Sequence, residues 1–298
     1  MIIVRISGGL GNQMFQYACG RALAERLSTV LKLDLQPFES DPLRDYALHS
    51  LNIHEHIAIP NEIALVKGLS WGEKAILKFG RRFGSQLAGA YLNMSGSHFR
   101  EKKVFEYDSS ILNLKDSIYL DGYWQSEEYF IGVRDILLRE FTARHIPSSE
   151  MLEEMGGIAE TSSIALHVRR GDYVSSPATS RTHGFCGLDY YSRAVAHMAA
   201  HVADPHFFVF SDDLPWAIQN LCLDFPTIFV GESIGNAAHD DLMLMKECQH
   251  HIIANSSFSW WGAWLCTNEN QIVIAPKRWF ADERVQTPDL LPSNWLQM

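Results

Sequence analysis

The chain has 298 residues, of which 47% are hydrophobic and 20% charged, and its formal net charge is −10. This composition excludes a disordered chain and indicates a globular protein with one large domain or two ordinary ones. The acidic total argues against nucleic acid as a partner. The five cysteines are never spaced C-x-x-C and no apolar run is long enough to span a membrane, so we expect reduced thiols in a soluble, cytoplasmic protein.

The first half opens like an α/β unit. A strand is predicted over 2–7, a helix over 13–27 after a Gly-rich turn, and a second strand over 30–35. A later strand over 117–124 and a helix over 126–140 extend the same alternation.

The second half repeats short apolar runs between segments with helical spacing. The predicted strands are 162–168, 206–212, 227–231, 250–255 and 271–276. The predicted helices are 188–201, 214–221, 237–248 and 258–267. This alternation predicts a parallel sheet with helices on both faces.

The Pro, Ser and Gly residues of 145–157 predict a domain boundary. We therefore expect an N-terminal domain over 1–150 and a C-terminal domain over 151–278, with the tail 279–298 packing back on the N-terminal domain. The predicted fold class is α/β, with two Rossmann-like domains facing across a cleft at the carboxyl ends of their strands.

The first chemical motif is GGLGNQMFQYA (8–18), between the opening strand and helix. Gly9 and Gly11 let the backbone approach a ligand, and Asn12 with Gln13 offers two carboxamides to a sugar or phosphate. A dinucleotide fingerprint is the alternative, with Asp34 as its ribose contact, but Met14 stands where the third glycine belongs.

The second motif is SSIALHVRRGDY (162–173), which ends an apolar run in charged residues. Strand alternation points His167 and Arg169 to one side and Arg170 to the other. A guanidinium binds phosphate oxygens bidentately and stays protonated, so Arg169 is predicted to neutralise a diphosphate without a metal. We interpret Arg170 with Asp172 as a structural ion pair.

The third motif is HHIIANSSFSWWGAWL (250–265), a strand followed by an aromatic helix. Asn255, Ser256 and Ser257 can cap that helix and bind an anion at its first turn, next to Phe258. The alternative is ordinary capping, with Trp260, Trp261 and Trp264 as core.

Two acidic pairs accompany these motifs. Ser211 precedes Asp212 and Asp213 at a strand end, while Asp240 and Asp241 open a helix. Adjacent carboxylates can bind Mg²⁺, but the metal signal of both pairs is weak, so no metal site is predicted.

In this order and at these separations, GGLGNQMFQYA, HVRRGDY and NSSFSWWGAWL resemble glycosyltransferase family 11, the α-1,2-fucosyltransferases, with bacterial O-antigen or blood-group-H-like members looking closest. GYWQSEEYF, FSDD and HDDLMLMKECQHHIIAN are also in register, so the likeness covers nearly the whole chain. It implies a GT-B architecture that holds GDP-fucose mainly in the C-terminal domain. It also implies inverting, metal-independent transfer of fucose from GDP-β-L-fucose to a galactose 2-hydroxyl, with no cofactor.

The resemblance also implies roles for individual residues. His167 and Arg169 would contact the diphosphate, Asn12 would lie near the reacting centre, and Asp241 would recognise the nucleoside. The predicted catalytic residues are Arg169, His167 and Asn12. The predicted donor-binding residues are Gly9, Gly11, Asn12, His167, Arg169, Asp172, Ser211, Asp241, Asn255, Ser256, Ser257 and Phe258.

On the acceptor side, His183 and Trp124 are the predicted contacts to a galactose-terminated, lipid-linked or free oligosaccharide. No motif identifies a general base, for which Asp172 and His183 are the candidates. Two other functions stay open: a nucleotide-cofactor-dependent sugar oxidoreductase that uses Asp34, and a non-catalytic glycan-binding protein.

The segment 67–103 is basic with interleaved aromatic residues, unlike the acidic remainder. One interpretation is a solvated helical face. The other is a surface that touches an anionic membrane or a lipid-linked acceptor, which would place the protein peripherally at the inner membrane.

Overall fold

The computed structural model describes residues 1–67, 98–171, 184–231 and 238–298. They form two compact units, Met1–Phe141 with Pro288–Leu290 and Thr142–Thr287 with Leu291–Met298. Each unit contains a parallel sheet with helices between its strands. The predicted α/β class with two Rossmann-like domains is therefore confirmed.

The first unit is built around a short strand whose apolar residues are buried. Its elements are β1 (Ile2–Arg5), α1 (Leu10–Arg26), β2 (Leu31–Asp34), α2 (Pro60–Val66), β3 (His98–Arg100), β4 (Ile118–Asp121) and α3 (Arg134–Glu140). In the described part of the chain the strand order is β2-β1-β4-β3, and every pairing is parallel. Ile2, Ile3 and Val4 of β1 are buried, which suits a strand covered on both faces.

The second unit follows the predicted alternation of strands and helices closely. Its elements are α4 (Ser149–Ala159), β5 (Ser162–Val168), α5 (Leu188–His201), β6 (Pro205–Ser211), α6 (Leu214–Asn220), β7 (Thr227–Phe229), α7 (Ala238–Glu247), β8 (His250–Ile252), α8 (Ser257–Trp264), β9 (Val273–Ala275) and β10 (Leu296–Gln297). In the described residues the strand order is β10-β9-β8-β5-β6-β7. β5 therefore lies between β8 and β6, and the ends of these three strands are neighbours.

The segment 145–157, predicted as a boundary, is largely helical. Ser148 caps α4 by accepting a hydrogen bond from the Met151 backbone N–H at 3.2 Å, and Met151 and Ile158 are buried. The division between the two units falls earlier, between Phe141 and Thr142. The capping serine and the apolar spacing outweigh the two glycines of this segment.

The predicted packing of the C-terminal tail on the first unit is observed for only part of the tail. Pro288–Leu290 belongs to that unit, and the Asp289 carboxylate accepts the Tyr107 N–H at 2.7 Å. The end of the tail instead forms β10, which pairs with β9 through Met298 N–H to Ala275 O at 3.0 Å. The edge of the second sheet thereby gains a partner.

The helix predicted over 126–140 is also interrupted. Short 3₁₀ turns form at Glu127–Tyr129 and Ile131–Val133 before α3 begins. Phe130 has φ −143° and ψ 2°, which ends the first turn. Its ring packs 5.9 Å from that of Phe15, so core packing overrides the helical spacing here.

The five cysteines all lie in the described residues and are free thiols, as expected. In the same residues, no helix has both the length and the apolar character that crossing a membrane requires.

Candidate active site

The end of β5 carries the two residues on which the second motif depends. His167 is 4% exposed, and its ring lies 5.7 Å from the ring of Phe258 at the start of α8. Arg169 follows the strand directly and keeps 24% of its side chain exposed. Because ligands of parallel α/β units bind at the carboxyl ends of the strands, this edge is the candidate donor site.

His167 is a neutral group in this position. Burial, with a smaller contribution from Arg169, lowers its pKa to about 3. In the described part of the chain, no hydrogen-bond partner reaches its buried Nδ1 atom. His167 therefore offers a ligand a hydrogen bond but no charge at neutral pH.

Arg169 is held by Asp212, which follows the neighbouring strand β6. Its Nη1 lies 2.9 Å from Asp212 Oδ2, while Asp212 Oδ1 accepts the Arg170 backbone N–H at 2.8 Å. A Cβ on Gly171 would lie 2.6 Å from Asp212 Oδ2. The glycine of the RRGD sequence is thus required for the close approach of this carboxylate.

Asp212 was not among the predicted site residues. The sequence carries a signal for it, because FSDD stands at the end of a predicted strand, but adjacent carboxylates by themselves indicate a metal ligand as readily as a partner for an arginine. β5 and β6 are paired in register up to Val168 and Ser211, which brings the two strand ends together.

Arg170 forms an ion pair with Asp213, while its predicted pairing with Asp172 stays a prediction. Its Nε lies 3.3 Å from Asp213 Oδ2, and its guanidinium stacks 3.8 Å from the centroid of the Trp216 ring. The predicted partner, Asp172, lies outside the described residues. Asp213 also caps α6, and the Ser211 hydroxyl accepts the Asp213 N–H at 3.0 Å.

The start of α8 contributes its first turn to the same edge. Ser256 caps the helix by accepting the Phe258 N–H at 3.3 Å, and Ser257 and Phe258 are partly exposed. Trp260, Trp261 and Trp264 are buried and pack on one another, as the core interpretation expected.

The Asn255 carboxamide forms hydrogen bonds within the protein. Its carboxamide nitrogen donates to Trp279 O at 3.1 Å, and its oxygen accepts from the Cys186 thiol at 3.6 Å. The side chain is 3% exposed. Asn255 therefore joins three loops of the second unit, and its predicted contact with the donor stays a prediction.

In the first unit, the Gly-rich turn orients Asn12. Gly8 has φ +79°, and a Cβ there would lie 2.8 Å from Asn12 Nδ2, whereas a Cβ on Gly9 would meet open space. Gln125 Nε2 donates to Asn12 Oδ1 at 2.7 Å. Asn12 is thus held at the carboxyl end of β1. Gly11 lies inside α1 and is buried.

Gln13, which we expected beside Asn12 as a ligand group, is structural. Its Nε2 donates to Gly8 O at 2.8 Å and to Asp45 O at 2.9 Å, and its Oε1 accepts the Ala47 N–H at 2.9 Å. Within the described residues, the hydrogen bonds of this buried side chain all go to backbone atoms.

Trp124, a predicted acceptor contact, is instead a core residue. It is 0% exposed, and its ring stacks 5.8 Å from that of Phe99. His183, the other predicted acceptor contact, lies outside the described residues. Asp241 lies in the first turn of α7.

The first sheet ends in a row of alternating charges that sequence analysis missed. Asp34, Arg5, Asp121 and Arg100 stand in register at the ends of β2, β1, β4 and β3. Hydrogen bonding by His98 and the nearby arginines lower the pKa of Asp121 to about 2. Asp34 is 2% exposed and accepts the Tyr119 hydroxyl at 2.6 Å, which removes it as the ribose contact of an oxidoreductase.

Comparison with known proteins agrees with this chemistry. Residues 90–298 match the model of glycosyl transferase family 11. An alpha-1,2-colitosyltransferase from Escherichia coli is 33% identical, with 100% of this chain and 99% of that protein covered. The Escherichia coli O-antigen biosynthesis glycosyltransferase WbnK is also 33% identical, with coverage of 98% and 99%.

A more distant relative comes from a mammal. The mouse galactoside 2-alpha-L-fucosyltransferase Sec1 is 24% identical, with 89% of this chain and 64% of that protein covered. These matches and the pair of parallel α/β units define a glycosyltransferase. The chain belongs to glycosyltransferase family 11.

Proposed function

We propose that the protein is an inverting α-1,2-fucosyltransferase, which moves L-fucose from GDP-β-L-fucose to the 2-hydroxyl of a terminal galactose. The observation that carries this proposal is Arg169, a permanent cation fixed by Asp212 at 2.9 Å beside the neutral His167 and the first turn of α8. Such a group is suited to a leaving diphosphate. The α-1,2 linkage follows the names of the bacterial and mouse relatives.

In this proposal the second unit binds the donor. The galactose O2 attacks C1 of fucose while the bond from C1 to the β-phosphate oxygen breaks, so negative charge grows on GDP. Arg169 stabilises that charge more strongly in the transition state than in the ground state. The backbone N–H groups near Ser257 add to it, and His167 donates or accepts a single hydrogen bond.

Asp212 has the role of holding the guanidinium in place before the donor binds. A guanidinium carries five N–H donors in a planar fork, so it can bind a carboxylate and a phosphate together. Asn12, at the end of β1, is assigned to the reacting centre, and the first unit to the acceptor. Asp172 and His183 are the proposed candidates for the general base.

Transfer by this arrangement requires no metal, because Arg169 supplies the positive charge that a divalent cation supplies in other transferases. Activity should persist in EDTA. Loss of transfer in EDTA, restored by Mg²⁺, would contradict this part of the proposal.

The donor sugar has a second candidate. The full-length likeness to an alpha-1,2-colitosyltransferase favours colitose, which is L-fucose without its 3-hydroxyl. A site that hydrogen-bonds the 3-hydroxyl rejects the analogue lacking it by up to about 10⁴-fold. The ratio of kcat/KM for GDP-fucose and GDP-colitose therefore decides between the two donors.

A GDP-release assay tests the function itself. GDP-fucose is incubated with lactose, N-acetyllactosamine or Gal-β1,3-GalNAc, and the product linkage is determined, with Arg169→Ala as the control. Release of GDP with a 2-linked product supports the proposal. Donor binding without GDP release from any acceptor would favour the glycan-binding alternative, and bound NAD(H) would favour the oxidoreductase.

The cellular setting is part of the same proposal. Residues 68–97 lie outside the described residues, while the flanking Lys102 and Lys103 pair with Asp108 and Glu106. We propose that the basic segment touches the cytoplasmic face of the inner membrane, where an O-antigen-like, lipid-linked acceptor would be presented. Replacing Arg81 and Arg82 by Gln should weaken binding to anionic liposomes and spare activity on free lactose; unchanged liposome binding would contradict it.

A further inference from the structure

Three side chains that can ligate a metal meet at the start of α7. His145 Nε2 lies 2.9 Å and His239 Nε2 lies 3.7 Å from Oδ1 of Asp240. The two imidazole rings are 4.9 Å apart at 81°. Within the described ranges, this is the one group of three or more His, Cys, Asp or Glu residues whose ligand atoms all lie within 4.8 Å of one another.

Hydrogen bonding does not satisfy Oδ1 of Asp240 within the described residues. Asp240 Oδ1 is buried, yet no group in the described residues is aligned to donate a hydrogen bond to it. The 2.9 Å separation from His145 Nε2 is a close approach without that alignment. A buried carboxylate oxygen without a donor is costly, and a cation shared with the two imidazoles would satisfy it.

The geometry fits a small tetrahedral site. Zn²⁺ binds His nitrogen and Asp oxygen at about 2.0–2.2 Å, which separates tetrahedral ligands by roughly 3.3 Å. The observed separations from Asp240 Oδ1, 2.9 Å and 3.7 Å, bracket that value, and the ligand nitrogens of the two imidazoles lie within 4.8 Å of each other. Two imidazoles with one carboxylate suit Zn²⁺, Co²⁺, Ni²⁺ or Cu²⁺, whereas Mg²⁺ and Ca²⁺ require a set of oxygen ligands.

We propose that His145, His239 and Asp240 form a binding site for a divalent transition-metal ion, with Zn²⁺ as the representative. The bound ion tethers residue 145, just after the division between the units at Thr142, to the first turn of α7. A water molecule would complete the coordination. The proposal of this metal site does not rest on the transferase function proposed above.

The chain offers a matched control for this site. His197 and His201 stand one turn apart on α5, with ring centroids 4.1 Å apart, but no third ligand joins them among the described residues. Replacing His201 removes one of two adjacent imidazoles without touching the proposed site. It therefore separates binding by His145, His239 and Asp240 from binding by any surface histidine pair.

The experiment is a calorimetric titration of full-length protein with ZnCl₂, after removal of the purification tag and treatment with EDTA. We expect about one tight equivalent for the wild type and for His201→Asn. The affinity should fall by more than about tenfold in each of His145→Asn, His239→Asn and Asp240→Asn. MgCl₂ should produce no comparable binding, and far-UV circular dichroism verifies folding.

The outcome is read from all variants together. Tight binding that survives in His145→Asn and His239→Asn, or its loss in His201→Asn alone, would overturn the site. So would the absence of tight Zn²⁺ binding to the wild type. Because three separate positions are replaced, the other two variants still test the site if one variant fails to fold.

Discussion

Asp212 fixes Arg169 at the carboxyl edge of the second sheet, with Oδ2 at 2.9 Å from Nη1. The two residues follow adjacent, in-register strands, and Asp212 also accepts the Arg170 N–H at 2.8 Å. A cation held in place before the donor binds needs little reorganisation when charge develops on the leaving group. In the proposed transferase, Arg169 would supply the charge and Asp212 would position it, and each role can be tested alone.

Replacing Arg169 by Ala should abolish most of the transferase activity. Loss of one charge-stabilising donor typically lowers kcat by about 10²–10³-fold, and Arg169→Lys should recover part of it because charge remains without the planar fork. Steady-state kinetics measures both. Arg170→Ala is the control: it loses the Trp216 stacking at 3.8 Å and should lower the unfolding midpoint more than Arg169→Ala does. Equal kcat in Arg169→Ala and wild type would refute the role of Arg169.

Asp212→Asn should lower kcat by about tenfold, with a smaller change in the affinity for GDP. The amide oxygen still accepts the Arg170 N–H, but the charge that orients Arg169 is lost. Asp213→Asn is the matched control, because Asp213 pairs with Arg170 at 3.3 Å and caps α6. Activity should fall in the first variant and stability in the second. A reversed pattern would show that Asp213, not Asp212, positions the catalytic cation.

The sequence predicted the second unit well because its elements have strong local signals. β5 and α5 have the predicted bounds, 162–168 and 188–201. Each of these elements buries a strand or one face of a helix. Burial of this kind produces a regular spacing of apolar residues that can be recognised in the sequence itself. The interrupted helix over 126–140 was missed because the buried Phe130 packs on Phe15, a residue far away in the sequence.

The site was predicted less completely, for a similar reason. His167 and Arg169 lie at the strand end where alternation placed them, but the partner of Arg169 is 43 residues further along the chain. Gln13, Asn255 and Trp124 have the side chains that ligand sites use, yet tertiary contacts engage them elsewhere. Residue type alone cannot distinguish a carboxamide that binds a ligand from one that joins two loops.

Gly8→Ala should destabilise the first unit and disturb Asn12. Gly8 has φ +79°, and an added Cβ would lie 2.8 Å from Asn12 Nδ2. Strained backbone of this kind costs about 1–3 kcal/mol. Chemical denaturation and steady-state kinetics should both show a loss.

Gly9→Ala is the control, because its Cβ would enter open space and its backbone has φ −74°. It should fold with nearly unchanged stability. If a ligand approaches Gly9 as predicted, this variant lowers activity without lowering stability. Equal stability of the two variants would contradict the conformational argument for Gly8.

His251 is a buried imidazole that the fold holds in its neutral form. Its Nε2 lies 2.7 Å from Met245 O, and its Nδ1 accepts a hydrogen bond from Gln271 Nε2 at 2.8 Å. Since Nδ1 must remain an acceptor, protonation would break the second bond. Burial lowers the pKa of His251 to about 4.

The stability of the protein should consequently fall as the pH drops from about 6.5 towards 4. In that window the unfolded chain protonates His251 and the folded chain does not, so the free energy of unfolding decreases by up to about 1.4 kcal/mol per pH unit for this residue. His167 adds a similar dependence because burial also lowers its pKa. Urea unfolding at pH 5, 6 and 7 measures the slope. His251→Gln should reduce the slope of the unfolding free energy against pH by roughly the contribution of one proton. Replacing the exposed His201 should not reduce the slope. An unchanged slope in His251→Gln would show that this imidazole already protonates in the folded state.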